Sequence, residues 1–232
     1  MNKHLGRVGM ALLTLLVGIG IGWVAWGSAP TRNEPQSDPS GAQVDSAKAP
    51  RPNAADIGFA QDMTVHHNQA LQMATFALGN STDQQIHRLA LQILTTQATE
   101  KGLMSGWLIL WEAPELPAGP HMAWMKGMDH DTGGSAHAGH DATGTEQALM
   151  PGMATIGEIT KLGSLKGTAF DILFLQLMIR HHTGGIEMAQ AAAEQAATPA
   201  VRGLALEMAR SQTQENAVML AQLKELDAEP KF

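Results

Sequence analysis

Residues 62–74 read D-M-T-V-H-H-N-Q-A-L-Q-M-A, and residues 177–189 read L-M-I-R-H-H-T-G-G-I-E-M-A. A shift of 115 residues lays one on the other without a gap, so that Met63, His66, His67, Met73 and Ala74 fall on Met178, His181, His182, Met188 and Ala189. Upstream, Phe59 and Gln61 meet Phe174 and Gln176; downstream, Leu89, Ala90 and Leu91 meet Leu204, Ala205 and Leu206. The register ends with Gln97 and Glu100 on Gln212 and Glu215. Register kept this long marks a duplicated unit of about fifty residues.

Each unit reads as two helices. Apolar residues recur at three- and four-residue steps in stretches rich in Ala, Leu, Met and Gln, which favour helix. The first helices are expected over about 56–78 and 168–197, the second over about 82–111 and 198–226. Gly79 to Asp83 supplies a stop and then an N-cap. In the copy, Thr198-Pro199 supplies a cap and a first-turn proline. No stretch reads as a strand. The fold class is therefore all-α, a four-helix bundle built from two duplicated helical hairpins within residues 54–232. The irregular connection over 112–166 holds Pro114, Pro117, Pro120 and a plausible short helix over about 155–163.

The chain ahead of the bundle has a different character. Lys3 and Arg7 lie in residues 1–9, and residues 10–26 run as MALLTLLVGIGIGWVAW without a charge. Seventeen residues at helical rise span roughly 25 Å, close to the least that crosses a bilayer. With the basic residues inside, residues 10–27 read as a transmembrane anchor, residues 1–9 as its cytoplasmic end, and the rest as extracytoplasmic. A cleaved signal peptide is the competing reading; Gly27-Ser28-Ala29 would suit cleavage but Pro30 would not. Residues 28–53, rich in Pro, Ser, Ala, Asp and Gln, lack the apolar surface to offset their ordering entropy and read as a disordered linker. The expected place is the cell membrane, with one span and the main domain outside.

Composition removes several classes of function. With no Cys, the chain has no disulfide, thiolate zinc site or cysteine nucleophile. A net charge of -7 without a basic run beyond the first residues argues against nucleic acid as a partner. Methionine and histidine, at fourteen and ten residues, are the enrichments that need a reason.

Adjacent residues of a helix point about 100° apart, so His66 and His67 belong to neighbouring stripes. Asp62, His66, Gln69 and Met73 form one stripe; Met63, His67, Ala70 and Ala74 form the other. In the copy, His181 aligns with Leu177, Gly184 and Met188, and His182 with Met178, Gly185 and Ala189. Imidazole and thioether thus share half a helix surface in each repeat, and a pseudo-twofold axis would face them together. Glu100 and Glu215, each three residues after a Gln, can fix an imidazole tautomer or ligate metal directly. The plainer reading of Met63, Met73, Met178 and Met188 is core filling.

The connection carries a second cluster. His121, Met122, Met125, Met128 and His130 lie within ten residues, followed by His137, His140, Met150 and Met153. In a loop of Gly, Ala, Ser and Asp there is little core for methionine to fill. Thioether is a neutral soft ligand suited to Cu(I), and imidazole takes Cu(II) as well. Zinc sites prefer Cys, His and carboxylate. All these residues are candidate ligands, with copper the expected ion.

The double HH-x5-M-A pattern, the MPGM at 150–153 and the F-L-Q-L-M run from Phe174 resemble the domain-of-unknown-function 305 family over about residues 56–226. That resemblance implies a ferritin-like bundle, with some extracytoplasmic members linked to copper binding and tolerance. It implies no catalytic activity and fixes no individual ligand. Thr183-Gly184-Gly185 departs from Asn68-Gln69-Ala70 of the first repeat. The two glycines weaken helix by roughly 1 kcal/mol each, and either admit a close neighbour or loosen that half.

The expected function is extracytoplasmic copper capture, buffering or tolerance through His and Met ligands. The alternatives are a metal-dependent redox enzyme of Cu(I) oxidase type and a structural or interaction bundle. A di-iron oxidase is disfavoured because no Glu-x-x-His lies on the expected helices. No catalytic residue is assigned, and a homo-oligomer stays open.

Overall fold

The computed structural model describes residues 50–125 and 149–231. The expected anchor at 10–27 and nearly all of the linker lie outside these residues. Among the described residues, no helix is long and apolar enough to cross a membrane.

Five helices and no strand occur among the described residues: α1 Ala54–Asn80, α2 Gln84–Leu110, α3 Ile156–Ser164, α4 Gly167–Gln195 and α5 Pro199–Glu225. Local chemistry sets most of the starts. Asn53 accepts from Ala55 N at 2.9 Å and Asp56 N at 3.0 Å, while its own N–H reaches Asp56 Oδ2 at 2.8 Å, a closed capping box. Asp83 caps α2, and Thr155 with Glu158 boxes α3. Thr198 departs from the expected cap. Pro199 does open α5, but the Thr198 hydroxyl makes no cap bond and donates instead to Asp56 Oδ1 at 2.6 Å.

That exchange ties the repeats together. Besides the hydroxyl and its own cap, the Asp56 carboxylate accepts the N–H groups of Ala197 and Thr198 at 2.9 and 3.0 Å. It therefore holds the α4–α5 turn, and these bonds keep its carboxyl below the usual range despite its burial. Its repeat counterpart, Asp171, bonds Ser81 at the α1–α2 turn. The duplication has produced two reciprocal staples of unequal quality, for one Asp171 oxygen has no partner within the protein.

Packing is that of two hairpins laid side by side. α1 packs on α2, α4 on α5, and α1 on α4, with α3 against α1 and α4. α2 and α5 meet more sparsely, the Gln92 amide of α2 donating to Glu215 Oε1 of α5 at 3.0 Å. The arrangement is an all-helical bundle, as the repeat implied, with its two hairpins joined through α1 and α4.

The core forms two clusters. One holds Phe59, Met63, Met104, Met188, Val201, Ala205 and Met208; the other holds Met73, Ile86, Ala90, Ile93, Phe174, Met178 and Met219. The 115-residue shift exchanges these two sets residue by residue. Between them, on the α1/α4 contact, sit the histidines.

Replacing Asp56 by Ala orphans four donors and should cost about 3 kcal/mol of stability in urea denaturation, against at most about 1 kcal/mol for Asp171→Ala. Equal losses would refute the inequality of the staples.

Candidate metal centre

Helix packing forces four imidazoles into the dry space between the clusters. His66, His67 and His182 are fully buried and His181 is 1 % exposed. The rings of His66 and His181, one from each repeat, lie 3.7 Å apart between centroids and are tilted by 33°. The duplicated pairs therefore converge as the sequence implied.

A buried imidazole must place its N–H on an acceptor, since an unpaired buried donor costs several kcal/mol. Each ring does so through Nε2. His67 donates to Glu100 Oε2 at 2.8 Å and His182 to Glu215 Oε2 at 2.6 Å. His181 donates to the His66 carbonyl at 3.0 Å, and His66 to the Pro151 carbonyl at 3.4 Å. With Nε2 protonated, Nδ1 of each ring carries a bare lone pair. All four Nδ1 atoms are buried without a partner in the protein. So are both side-chain polar atoms of Gln97 and of Gln212.

The electrostatics keep His66, His67 and His181 neutral. Burial first, then the charge His67 would carry, holds His66 far below its ordinary 6.5, at about 3. Burial and His182 bring His67 to about 3, and burial with His66 lowers His181 strongly too. Glu100 moves the opposite way, pushed up to about 7 by burial and by the neighbouring charge of Glu215.

The two stripes divide their work. His67 faces the second helix of its own hairpin. Asp62, His66 and Gln69 face the connection between hairpins: Gln69 exchanges two bonds with the Ala154 backbone at 2.9 and 2.6 Å, on the MPGM side. The glycines of the second repeat admit close neighbours. A Cβ on Gly184 would collide with the Pro151 carbonyl, and one on Gly185 would lie 2.6 Å from Gln212 Oε1 and 3.2 Å from His66 Cε1. They serve approach, and the helix continues through them.

The connection corrects the sequence reading in one respect. Met125, Met150 and Met153 are buried in the first apolar cluster together with Met63 and Met188, and Met122 packs partly buried against it. These loop methionines do have core to fill. Met73 and Met178 are buried in the second cluster. His121 gives its Nδ1–H to Asp62 Oδ1 at 2.5 Å, while Met122 N and Trp124 Nε1 reach Asp62 Oδ2 at 2.7 and 2.9 Å. The buried Asp62 thus anchors the start of the connection, a role missed from the sequence; its signal was that the repeat counterpart is Leu177. Met128, His130, His137 and His140 lie outside the described residues. Among those described, no three His, Asp or Glu side chains form a ready-made metal cage.

The family model for a domain of unknown function, DUF305, matches residues 56–223. The chain belongs to the DUF305 family. A DUF305 protein of Streptomyces coelicolor is 38% identical, covers 77% of this chain and 97% of its own, and superposes with a TM-score of 0.66. A DUF305 fragment from Deinococcus radiodurans is 28% identical, with 76% and 99% covered and a TM-score of 0.58. CopM in its Cu(II)-bound form is 26% identical, with 73% and 96% covered and a TM-score of 0.53. CopM has also been solved with Cu(I) and with Ag bound, where the likeness of 22–24% identity shows this DUF305 fold alone. A comparison with curated proteins finds no match.

Three depressed imidazoles mean that between pH 6.5 and about 3 the unfolded chain binds more protons than the folded one. Stability then rises with pH across that window and is lost on acidification. Glu100 acts oppositely between 4.5 and about 7, because there the folded state holds the proton more tightly. The melting temperature of the metal-free chain should fall on acidification from pH 6.5 and most steeply below 4.5, where Glu100 no longer offsets the histidines. A flat profile over that range would contradict the neutral layer.

Proposed function

We propose that this DUF305 protein captures and buffers copper outside the cytoplasm, with His66, His67, His181 and His182 as its principal donors. The observation that carries this reading is the uniform state of the layer: every Nε2–H is engaged and every buried Nδ1 lone pair lacks a partner. Imidazole must be neutral to ligate, and His66, His67 and His181 need lose no proton near neutral pH. Glu100 and Glu215 act on His67 and His182 as carboxylates do on metal-bound histidines elsewhere, fixing the tautomer and raising basicity.

The donor chemistry fits copper. Imidazole suits both of its oxidation states, and Cu(I) accepts few ligands, so a pair of nitrogens needs no cage of three. The thioethers of Met63 and Met188 on one side, and of Met73 and Met178 on the other, stand in the clusters that flank the layer. Their first role is packing, with sulfur available to a soft ion without deprotonation. Copper bound to CopM, at 26% identity, supports the ion chosen. We assign the connection, with His121, Met122, Met125, Met128, His130, His137, His140, Met150 and Met153, a weaker recruiting role. The presumed secreted status of the Streptomyces coelicolor relative supports an extracytoplasmic domain, and residues 10–27 remain the proposed anchor.

Cu(I) titration of the full chain against a chromophoric chelator should yield stoichiometric binding tighter than micromolar. Glu100→Gln with Glu215→Gln should weaken it about 10–100-fold, the range for lost support behind ligating histidines. If replacing all four layer histidines left affinity unaltered, the layer would be packing and the proposal would fail.

A further inference from the structure

Helix period sets two further side chains level with the imidazoles. The buried stripe of α2 runs Ile93, Gln97, Glu100 and Met104, and that of α5 runs Met208, Gln212, Glu215 and Met219. In each stripe the outer members belong to opposite apolar clusters, so the Gln–Glu pair between them lies at the imidazole layer. Glu100 and Glu215 have a task there, each taking an Nε2–H. Gln97 and Gln212 have none within the protein. Both are 2 % exposed, and neither the oxygen nor the nitrogen of either amide meets a partner.

An unpaired buried amide costs the fold stability, and an apolar side chain of similar size would remove that cost. Both repeats nevertheless carry glutamine at this register, while their flanks differ: Ile93 faces Met208, Lys101 faces Asn216 and Met104 faces Met219 across the 115-residue shift. The second amide is also brought up to a ring. A Cβ at Gly185 would lie 2.6 Å from Gln212 Oε1 and 3.2 Å from His66 Cε1, the carbon bonded to the bare Nδ1. The amide oxygen of one repeat and the imidazole of the other thus flank a single point of the α4 backbone. Orphaned amide oxygens and orphaned ring nitrogens occupy one dry level.

We propose that Gln97 and Gln212 are oxygen ligands of the layer, giving Oε1 to Cu(II) beside the imidazole Nδ1 atoms and so setting the balance between the two oxidation states of copper. This rests on the layer being the copper site. Cu(II) favours tetragonal sets of nitrogen and oxygen, whereas Cu(I) is satisfied by few and softer donors. Imidazole serves both ions, so the rings alone separate them little. An amide oxygen is neutral, needs no deprotonation, and adds a donor that matters chiefly to Cu(II). Glu100 and Glu215 are already committed to Nε2–H groups, which leaves the two amides as the buried oxygens without a bond at this level.

Titration of the full chain with Cu(II) in air and with Cu(I) without oxygen, each against a competing chelator, tests the assignment. The Q97L/Q212L variant should bind Cu(II) about tenfold more weakly and Cu(I) within about threefold of the unaltered chain. A tenfold loss confined to Cu(II) raises the reduction potential of the bound ion by about 59 mV, and the electron paramagnetic resonance signal of Cu(II) should shift as oxygen leaves its shell. Q97M/Q212M keeps the shape and exchanges oxygen for thioether, so it should weaken Cu(II) and strengthen Cu(I), opposite signs that a packing role would not produce. Without metal, Q97L/Q212L should melt no lower than the unaltered chain, since it removes unpaired amides. Affinities for both ions that change together or not at all, or a lowered melting temperature with them, would make the amides structural and overturn the oxygen ligands alone. Absence of copper binding by the unaltered chain would overturn the copper reading itself.

Discussion

An imidazole removed from water has to place one N–H on an oxygen and keep its other nitrogen bare, and four of them do so at one level of this protein. Glu100 and Glu215 are the acceptors for one ring of each pair, and two backbone carbonyls serve the other rings. The rest of the architecture follows. The second helix of each hairpin must approach close enough to deliver its carboxylate. α1 and α4 must meet closely enough for the His181 ring to reach the His66 carbonyl. Apolar clusters above and below exclude the water that would otherwise charge the rings, which is why desolvation dominates the lowered pKa values.

Duplication supplied this scaffold, and departures from duplication made its two faces different. The His66 N–H would by symmetry meet the His181 carbonyl; it meets Pro151 instead, because the connection folds back onto glycines that the second repeat has and the first lacks. Asp62, where the copy has Leu177, fixes the other end of the connection. Gln222, where the copy has Trp107, carries an amide oxygen that is buried without a partner in the protein. Among the described residues, the face toward the connection is thereby closed by backbone contact.

Methionine has a divided role. In the two clusters it fills irregular space, as a flexible apolar chain does. The distribution is uneven, since Met104, Met125, Met150, Met153 and Met208 join Met63 and Met188 on one side, whereas Phe, Ile and Leu dominate the other. Exchange of the clusters by the repeat preserves position and leaves side-chain type free, provided that volume is kept.

The helices, their approximate ends and the facing of the two histidine pairs were legible in the sequence; which ring of each pair meets its copy, and which meets Glu100, was not. Period, capping residues and a gap-free repeat are local or one-dimensional signals. The duplicated register even implied that the histidines face each other, because a pseudo-twofold axis maps like onto like. What no local pattern held was the path of the connection: that Met125, Met150 and Met153 turn inward, that His121 closes on Asp62, and that Gly184 and Gly185 receive Pro151 and Gln212. Nor did it hold the sparser meeting of α2 with α5, which depends on how two finished hairpins settle against each other. Those facts arise from contacts between residues distant in sequence, which only the folded chain brings within bonding range.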